Sequence, residues 1–240
     1  MKLLLLLLPL FAHAKPWKQV WEARFDTAPR YAFYDATSSN ILVALDGAAI
    51  RRISLQGEAE KENFVETEGA PGPMRAYGGR IYWAIGKTVY SFPADGGRLR
   101  KEAEASADVL DISLDAKGKL FVAGAKGVGE PKKEYGAAAT SLFALSADLF
   151  TLRNGRVSGP AKERKICDQA AYGLERSPDG KWITACGKRV SREGETLAES
   201  KTAPGRIAYV YRKDSQYDLL VVPYPDEKVV RAYQSEEAGK

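Results

Sequence analysis

The chain has 240 residues, 45% of them hydrophobic, and a formal charge of +5 from 36 basic and 31 acidic side chains. That apolar content excludes a disordered chain and is enough to build a real core. The basic excess is small and interleaved, with Arg98, Arg100 and Lys101 beside Glu102 and Glu104, so no nucleic-acid partner is expected.

Met1 and Lys2 precede an apolar run over residues 3–12, and Ala12-His13-Ala14 is a small-x-small cleavage pattern. Residues 1–14 therefore read as a secretory signal cut between Ala14 and Lys15, which makes the mature chain secreted or periplasmic. A run of about ten residues is too short to span a bilayer, which needs about 20, and no longer run follows. His13 is the single histidine and leaves with the signal. Ser-His-Asp, Cys-His and His-ligated metal chemistry are thereby excluded. Cys167 and Cys186 are the two cysteines, and in an exported chain they are expected to form a disulfide.

Residues 18–25 alternate Val20, Glu22 and Arg24 against Trp21, Ala23 and Phe25, the period of a strand. A four-strand pattern then begins, with strands expected at 31–34, 41–45, 49–55 and 61–66, and again at 74–77, 80–85, 88–92 and 98–104. Asp95-Gly96-Gly97 turns the third strand of the second set into the fourth. The next hairpin is the clearest: Val109, Leu110, Ile112 and Leu114 run out, Asp115-Ala116-Lys117-Gly118 turns, and Leu120, Phe121 and Val122 return. Further second strands start at Trp182 and Leu219. From Ile41 through Ile81, Leu120, Trp182 and Leu219 the intervals are 40, 39, 62 and 37.

A period near 40 in antiparallel strands predicts an all-β fold, a β-propeller of four-stranded antiparallel blades. Five blades are favoured and six remain open. The long interval predicts an insertion at about 125–147 in the third blade, whose third-to-fourth turn is placed at Asn154-Gly155. Residues 15–240 then form one propeller domain. Leu142, Leu145 and Leu149 leave residues 141–150 readable as a short helix or a strand. The last blade lacks a fourth strand at the C-terminal end, and residues 18–25 are expected to supply it and close the ring.

The phrases WKQVWEARFDTAPRYAFYD, YGGRIYWAIGKTVYSF, ISLDAKGKLFVAG, SPDGKWITACG and IAYVYRKDSQYDLLVVPYPDEKVVRAY together resemble the SMP-30/gluconolactonase-like group of propellers, particularly its exported bacterial members. In that group a Glu, an Asn and an Asp hold a divalent metal at the channel mouth. The resemblance puts those places at Arg30, Leu110 and Tyr172, none of them a ligand for a hard cation, which argues against inherited lactonase activity. No metal and no cofactor are expected.

Arg30, Arg75, Asp108, Asp111, Tyr172, Glu175 and Arg206 fall at or beside the starts of inner strands, around the channel mouth. They are candidates to hold an anionic small molecule through the arginines, or to pair with one another across a water-filled channel. Asp108, Asp111 and Glu175 are candidates for an acid and base pair. GAKGVGEP over residues 124–131 lacks the Lys-Ser/Thr ending of a phosphate loop. Lys132, Lys133 and Tyr135 in the expected insertion are candidates to meet a partner.

The expected function is that of an exported monomeric propeller, a non-catalytic module binding a small anionic ligand or a cell-envelope protein. The alternative is a metal-independent hydrolase of the lactonase-like group, or a cyclotransferase of the kind some exported five-bladed propellers carry, working with the mouth carboxylates or Tyr172.

Overall fold

The computed structural model describes residues 18–136, 138–139, 141–145, 148–153, 156–158, 164–165, 175–176, 182–185, 188–191, 196–199, 208–210 and 219–234. Its strands run in chain order. After β1 (Lys18–Arg24), the first blade is β2 (Pro29–Asp35), β3 (Asn40–Leu45), β4 (Ala49–Ile53) and β5 (Val65–Glu66). The second is β6 (Pro71–Tyr77), β7 (Arg80–Ile85), β8 (Thr88–Pro93) and β9 (Arg100–Glu104). The third is β10 (Val109–Leu114), β11 (Leu120–Gly124), β12 (Gly127–Glu130) and β13 (Lys133–Tyr135). The fourth is β14 (Ser141–Leu145), β15 (Asp148–Arg153), β16 (Arg156–Ser158) and β17 (Arg164–Lys165). The fifth is β18 (Glu175–Arg176), β19 (Trp182–Ala185), β20 (Lys188–Ser191) and β21 (Thr196–Glu199). The sixth joins β22 (Ala208–Val210), β23 (Leu219–Tyr224) and β24 (Val229–Gln234) to β1.

The described strands thus form six four-stranded antiparallel sheets, one more than the favoured count of five. The extra blade occupies the segment expected to be an insertion, because residues 125–147 contain β12, β13 and β14. Two neighbouring blades are short. Measured between second strands, Leu120 to Asp148 is 28 residues and Asp148 to Trp182 is 34, so the interval of 62 holds a blade whose own second strand is Asp148–Arg153. β12 and β13 have four and three residues around the two-residue turn Pro131-Lys132. Asn154 and Gly155 lie outside the described residues, but the strands on either side of them, β15 and β16, are the second and third of the fourth blade and not the third and fourth of the third. Residues 141–145 and 148–153 are strands, which settles the choice between helix and strand. GAKGVGEP runs from the end of β11 through a turn into β12.

Second strands read as unbroken apolar runs because each blade is packed on both faces, so alternate side chains feed opposite cores. In β3, Ile41, Val43 and Leu45 join Val210, Leu219, Val221 and Val230 between the first and sixth blades. Leu42 and Ala44 point the other way and join Met74, Ile81, Trp83 and Phe92 between the first and second. Ala84, Val89, Val109, Ile112 and Val122 fill the next interface, and Ala123, Val128 and Leu142 the one after it. The first strands pack in sequence around the centre: β22 on β2, β2 on β6, β6 on β10, β10 on β14.

Closure by the N-terminal strand is seen directly. β1 pairs antiparallel with β24 from Lys18↔Gln234 to Arg24↔Val229, and Arg231 Nε donates to Glu22 Oε2 at 2.9 Å. The expected fourth strand of the first blade is shorter than its 61–66 reading, since β5 keeps only Val65 and Glu66; Glu58, Glu60, Lys61 and Glu62 leave the stretch before it without an apolar alternation to bury. Connections from fourth to first strand and from second to third share one face, here the upper; the other two kinds of turn share the lower.

Candidate functional site

Arg30 lies at the start of β2 and is exposed. Its Nε and Nη2 each donate at 2.7 Å to the two carboxylate oxygens of Asp46, in the β3–β4 turn. This fork is the strongest geometry a guanidinium has for a carboxylate, and it is satisfied within the first blade. The Asp46 hydrogen bond also raises the pKa of Arg30, so the cation is permanent.

Arg75 on β6 and Asp111 on β10 meet because those first strands of neighbouring blades pack together. Arg75 Nη2 donates to both Asp111 oxygens, at 3.1 and 3.3 Å, and Nη1 donates to the Met74 carbonyl at 2.8 Å. Asp111 is buried, 1% exposed. Its Oδ1 accepts from the Ile112 amide at 2.9 Å and its Oδ2 from the Leu142 amide at 3.0 Å. One carboxylate therefore joins the second, third and fourth blades. A general acid or base must reach substrate, whereas this one is held inside the wall by donors from three strands.

Asp108 stands apart from that pair, exposed in the β9–β10 connection on the upper face. With Ala105, Val109, Gly124, Lys126 and Glu134 it lines a small cleft that has room for about one water molecule. Both oxygens of Glu134 accept from Ser106, Oε1 from its amide at 2.9 Å and Oε2 from its hydroxyl at 2.8 Å. Desolvation pulls the Glu134 pKa up, but those hydrogen bonds and others from the backbone outweigh it and leave the pKa lowered. Glu134 thus fastens the outer strand of the third blade to the loop before β10.

Glu175 opens β18, opposite Thr184. Leu110 sits at the irregular step between Val109 and Asp111 in the β10–β11 pairing. Tyr172, Arg206, Cys167 and Cys186 lie outside the described residues. Among those described, no group of three or more His, Cys, Asp or Glu side chains is placed to hold a metal ion.

Lys132 and Lys133 are expected in an insertion of the third blade, ahead of a third-to-fourth turn at Asn154-Gly155. The Pro131-Lys132 turn instead joins the third blade's third and fourth strands, on the lower face. Tyr135 ends β13, paired with Val128.

No family model matches this sequence, and no curated protein matches it either. Solved structures do resemble it. The WD40 β-propeller domain of Doa1 superposes with a TM-score of 0.59 at 14% identity, over 85% of this chain and 77% of that one. The Pan2 WD40 domain of Neurospora crassa gives 0.59 at 10% identity, over 92% and 96%. The chain folds as a β-propeller. At such identity the likeness is one of fold. The propeller's inner wall is built from the edges of its first strands, and two of the arginines expected at its mouth, Arg30 and Arg75, are held by Asp46 and Asp111.

Sequence reasoning missed Asp46, which is readable only as half of an Asp-Gly turn, and missed the Leu142 amide, which carries no side-chain signal. Tyr77 was also missed. It ends β6 with its ring exposed, and the signal available was an aromatic directly before Gly78-Gly79, where the chain reverses at the surface.

Proposed function

We propose that this chain is an exported, non-catalytic β-propeller whose rigid blades present surface turns to a binding partner. The observation that carries this is the state of Asp111, the best-placed carboxylate for acid or base work: it is buried and engaged by Arg75, Ile112 and Leu142. A scaffold whose Arg30 and Arg75 are already paired with Asp46 and Asp111 is suited to holding loops in place, and function on such scaffolds concentrates in loops and turns. The strand phrasing that resembles the SMP-30/gluconolactonase-like group is consistent with a relative whose metal positions have become Arg30, Leu110 and Tyr172. Export follows from residues 1–14, and with it a Cys167–Cys186 disulfide, to be checked by counting free thiols on the intact exported protein by mass spectrometry.

The test is comparative. Purified mature protein is used as bait on a cell-envelope extract, and in parallel is assayed against lactones and simple esters with and without added divalent metal. Specific retention of a partner with no turnover supports the reading. Turnover of a lactone or ester without added metal would sink it in favour of the metal-independent hydrolase, and metal-stimulated turnover would sink both readings.

A further inference from the structure

Three turns on the lower face are linked by direct contacts. The Tyr77 hydroxyl donates to the Ala116 carbonyl at 3.2 Å, so the end of β6 in the second blade reaches the β10–β11 turn of the third. The ring lies on Gly118, where an added Cβ would come within 2.5 Å of Tyr77 Cε1. Lys119, one residue on, sends its ammonium to Glu130 Oε1 at 3.0 Å and holds it 5.5 Å from the Phe121 ring centroid. Glu130 in turn opens the Pro131-Lys132 turn, across which it pairs with Lys133.

The acids of this surface are already used. Asp115 Oδ1 accepts from the Lys117 and Lys119 amides at 2.8 and 2.9 Å, and the Lys119 amide bond is the main reason its carboxyl titrates below the ordinary range. Glu130 is taken by Lys119 at 3.0 Å, with Lys133 acting on its carboxylate from further away. Lys117, Lys132 and Lys133 are exposed and make no ion pair among the described residues. Beside them Tyr77, 36% exposed, is one of only two large hydrophobic side chains left open among the described residues. Lys132 also has a left-handed backbone, φ 64°, at the turn position that glycine or asparagine fills without strain. A lysine there sacrifices some stability and projects its charge from the tip of the turn.

We infer that this lower face of the second and third blades, built from Tyr77, Lys117, Lys132 and Lys133, is a docking surface for an acidic protein segment carrying an apolar residue for the Tyr77 ring. The inference rests on the reading of this chain as an interaction module. The two lysine-bearing turns of the third blade stand two strand spacings apart, about 10 Å, which an extended segment of three or four residues spans. Three flexible ammonium groups and a single ring suit carboxylates spaced along a peptide. A single-stranded nucleic acid needs a longer cationic track with several stacking rings.

The test uses the full mature chain and a short fluorescein-labelled peptide alternating glutamate with leucine, read by anisotropy at low salt. Changing Lys117, Lys132 and Lys133 together to glutamate is expected to weaken binding roughly tenfold or more, since it replaces three attractions to the peptide's carboxylates by three repulsions. The triple glutamine variant, which only removes charge, should give a smaller loss in the same direction. Lys126→Glu, on the upper face, should leave binding within about twofold. Weakening by Lys126→Glu equal to that by Lys117→Glu alone, a reversal of the same size on the lower face, overturns the inference, because net charge alone then explains the effect. Tighter binding of oligo-deoxythymidine than of the peptide overturns it in favour of nucleic acid. Failure of the reading beneath it looks different. If envelope partners are retained and the triple reversal does not affect them, this face is wrong and the module reading stands; if no partner is retained and an ester is turned over, the module reading itself has failed.

Discussion

Replacing Asp111 by alanine would leave the Arg75 guanidinium partly buried beside a cavity and the Leu142 amide without its acceptor. Removing one partner from a buried, hydrogen-bonded ion pair is destabilising by about 3–5 kcal/mol, and urea titration should find a loss of about that size. If Asp111 were instead a poised acid or base, the same change would spare stability and abolish an activity. Gly118→Ala should cost about 1–2 kcal/mol, because its φ of +78° disfavours a side chain and the Tyr77 ring occupies the space of a Cβ. Glu104 gives a pH signature. Lys101 and Lys87 donate to it at 2.8 and 2.7 Å, and those bonds, Lys101 first, lower its pKa from 4.5 to about 2. A carboxylate with a depressed folded pKa stabilises the fold above its unfolded value and loses that contribution as pH falls through the folded one. The stability gap between wild type and Glu104→Gln should therefore be full above pH 4.5 and close as pH falls to about 2. At this scale the sequence was legible for Arg30 and Glu175, which lie at the starts of β2 and β18, but it misplaced Arg75, which lies toward the end of β6 because that strand begins at Pro71. It was silent on pairing, since the partners of Arg30 and Arg75 come from 16 and 36 residues away.

Single strands and turns were the most legible level. β7 falls on Arg80–Ile85 as expected, and β3, β8, β10 and β23 lie within two residues of their readings at either end, because apolar runs between turn residues leave little choice of register. The error arose where strands shorten. β12, Gly-Val-Gly-Glu, offers one apolar side chain in four residues, so its backbone ladder with β11 and β13 had no hydrophobic pattern to betray it. With no pattern for those strands, the apolar period skips from β11 to β19 and a blade is lost from the count. β1 was the opposite case, a clean alternation far from its partner. Deleting Lys18–Arg24 should expose the edge of β24 and the Val230 and Ala232 core it helps cover. The expected result is a lower melting temperature and concentration-dependent aggregation on light scattering. An unaltered, monodisperse protein would show that the sixth blade stands without it.

For the molecule as a whole, repetition made the architecture readable and concealed the function. A blade is defined by what it buries, so its period is written in apolar residues; a binding surface is written in whatever the turns carry, which the repeat does not constrain. The lower-face cluster illustrates this. Tyr77, Lys117 and Lys132 are 40 and 15 residues apart in sequence, and the side-by-side packing of β6 and β10 together with the ladder from β10 to β13 gathers them.

The pairing of β1 with β24 also fixes the order of events as the chain folds. Glu22 and Arg231 are 209 residues apart, so the sixth blade cannot be completed until nearly the whole chain is available, and β1 must wait unpaired while the blades between them form. Contacts so distant in sequence slow folding, because loop closure must be met before they contribute. Lys18 lies opposite Gln234 in the ladder, which leaves the two chain segments positioned to be joined by a short turn. A circular permutant in which Gln234 runs through such a turn into Lys18, with new ends opened between Arg24 and Pro29, turns this longest-range pairing into a local hairpin. It should refold several-fold faster than the natural order in stopped-flow fluorescence, with its unfolding rate nearly unchanged if closure is complete before the barrier. An unchanged refolding rate would mean that the ring closes only after the rate-limiting step.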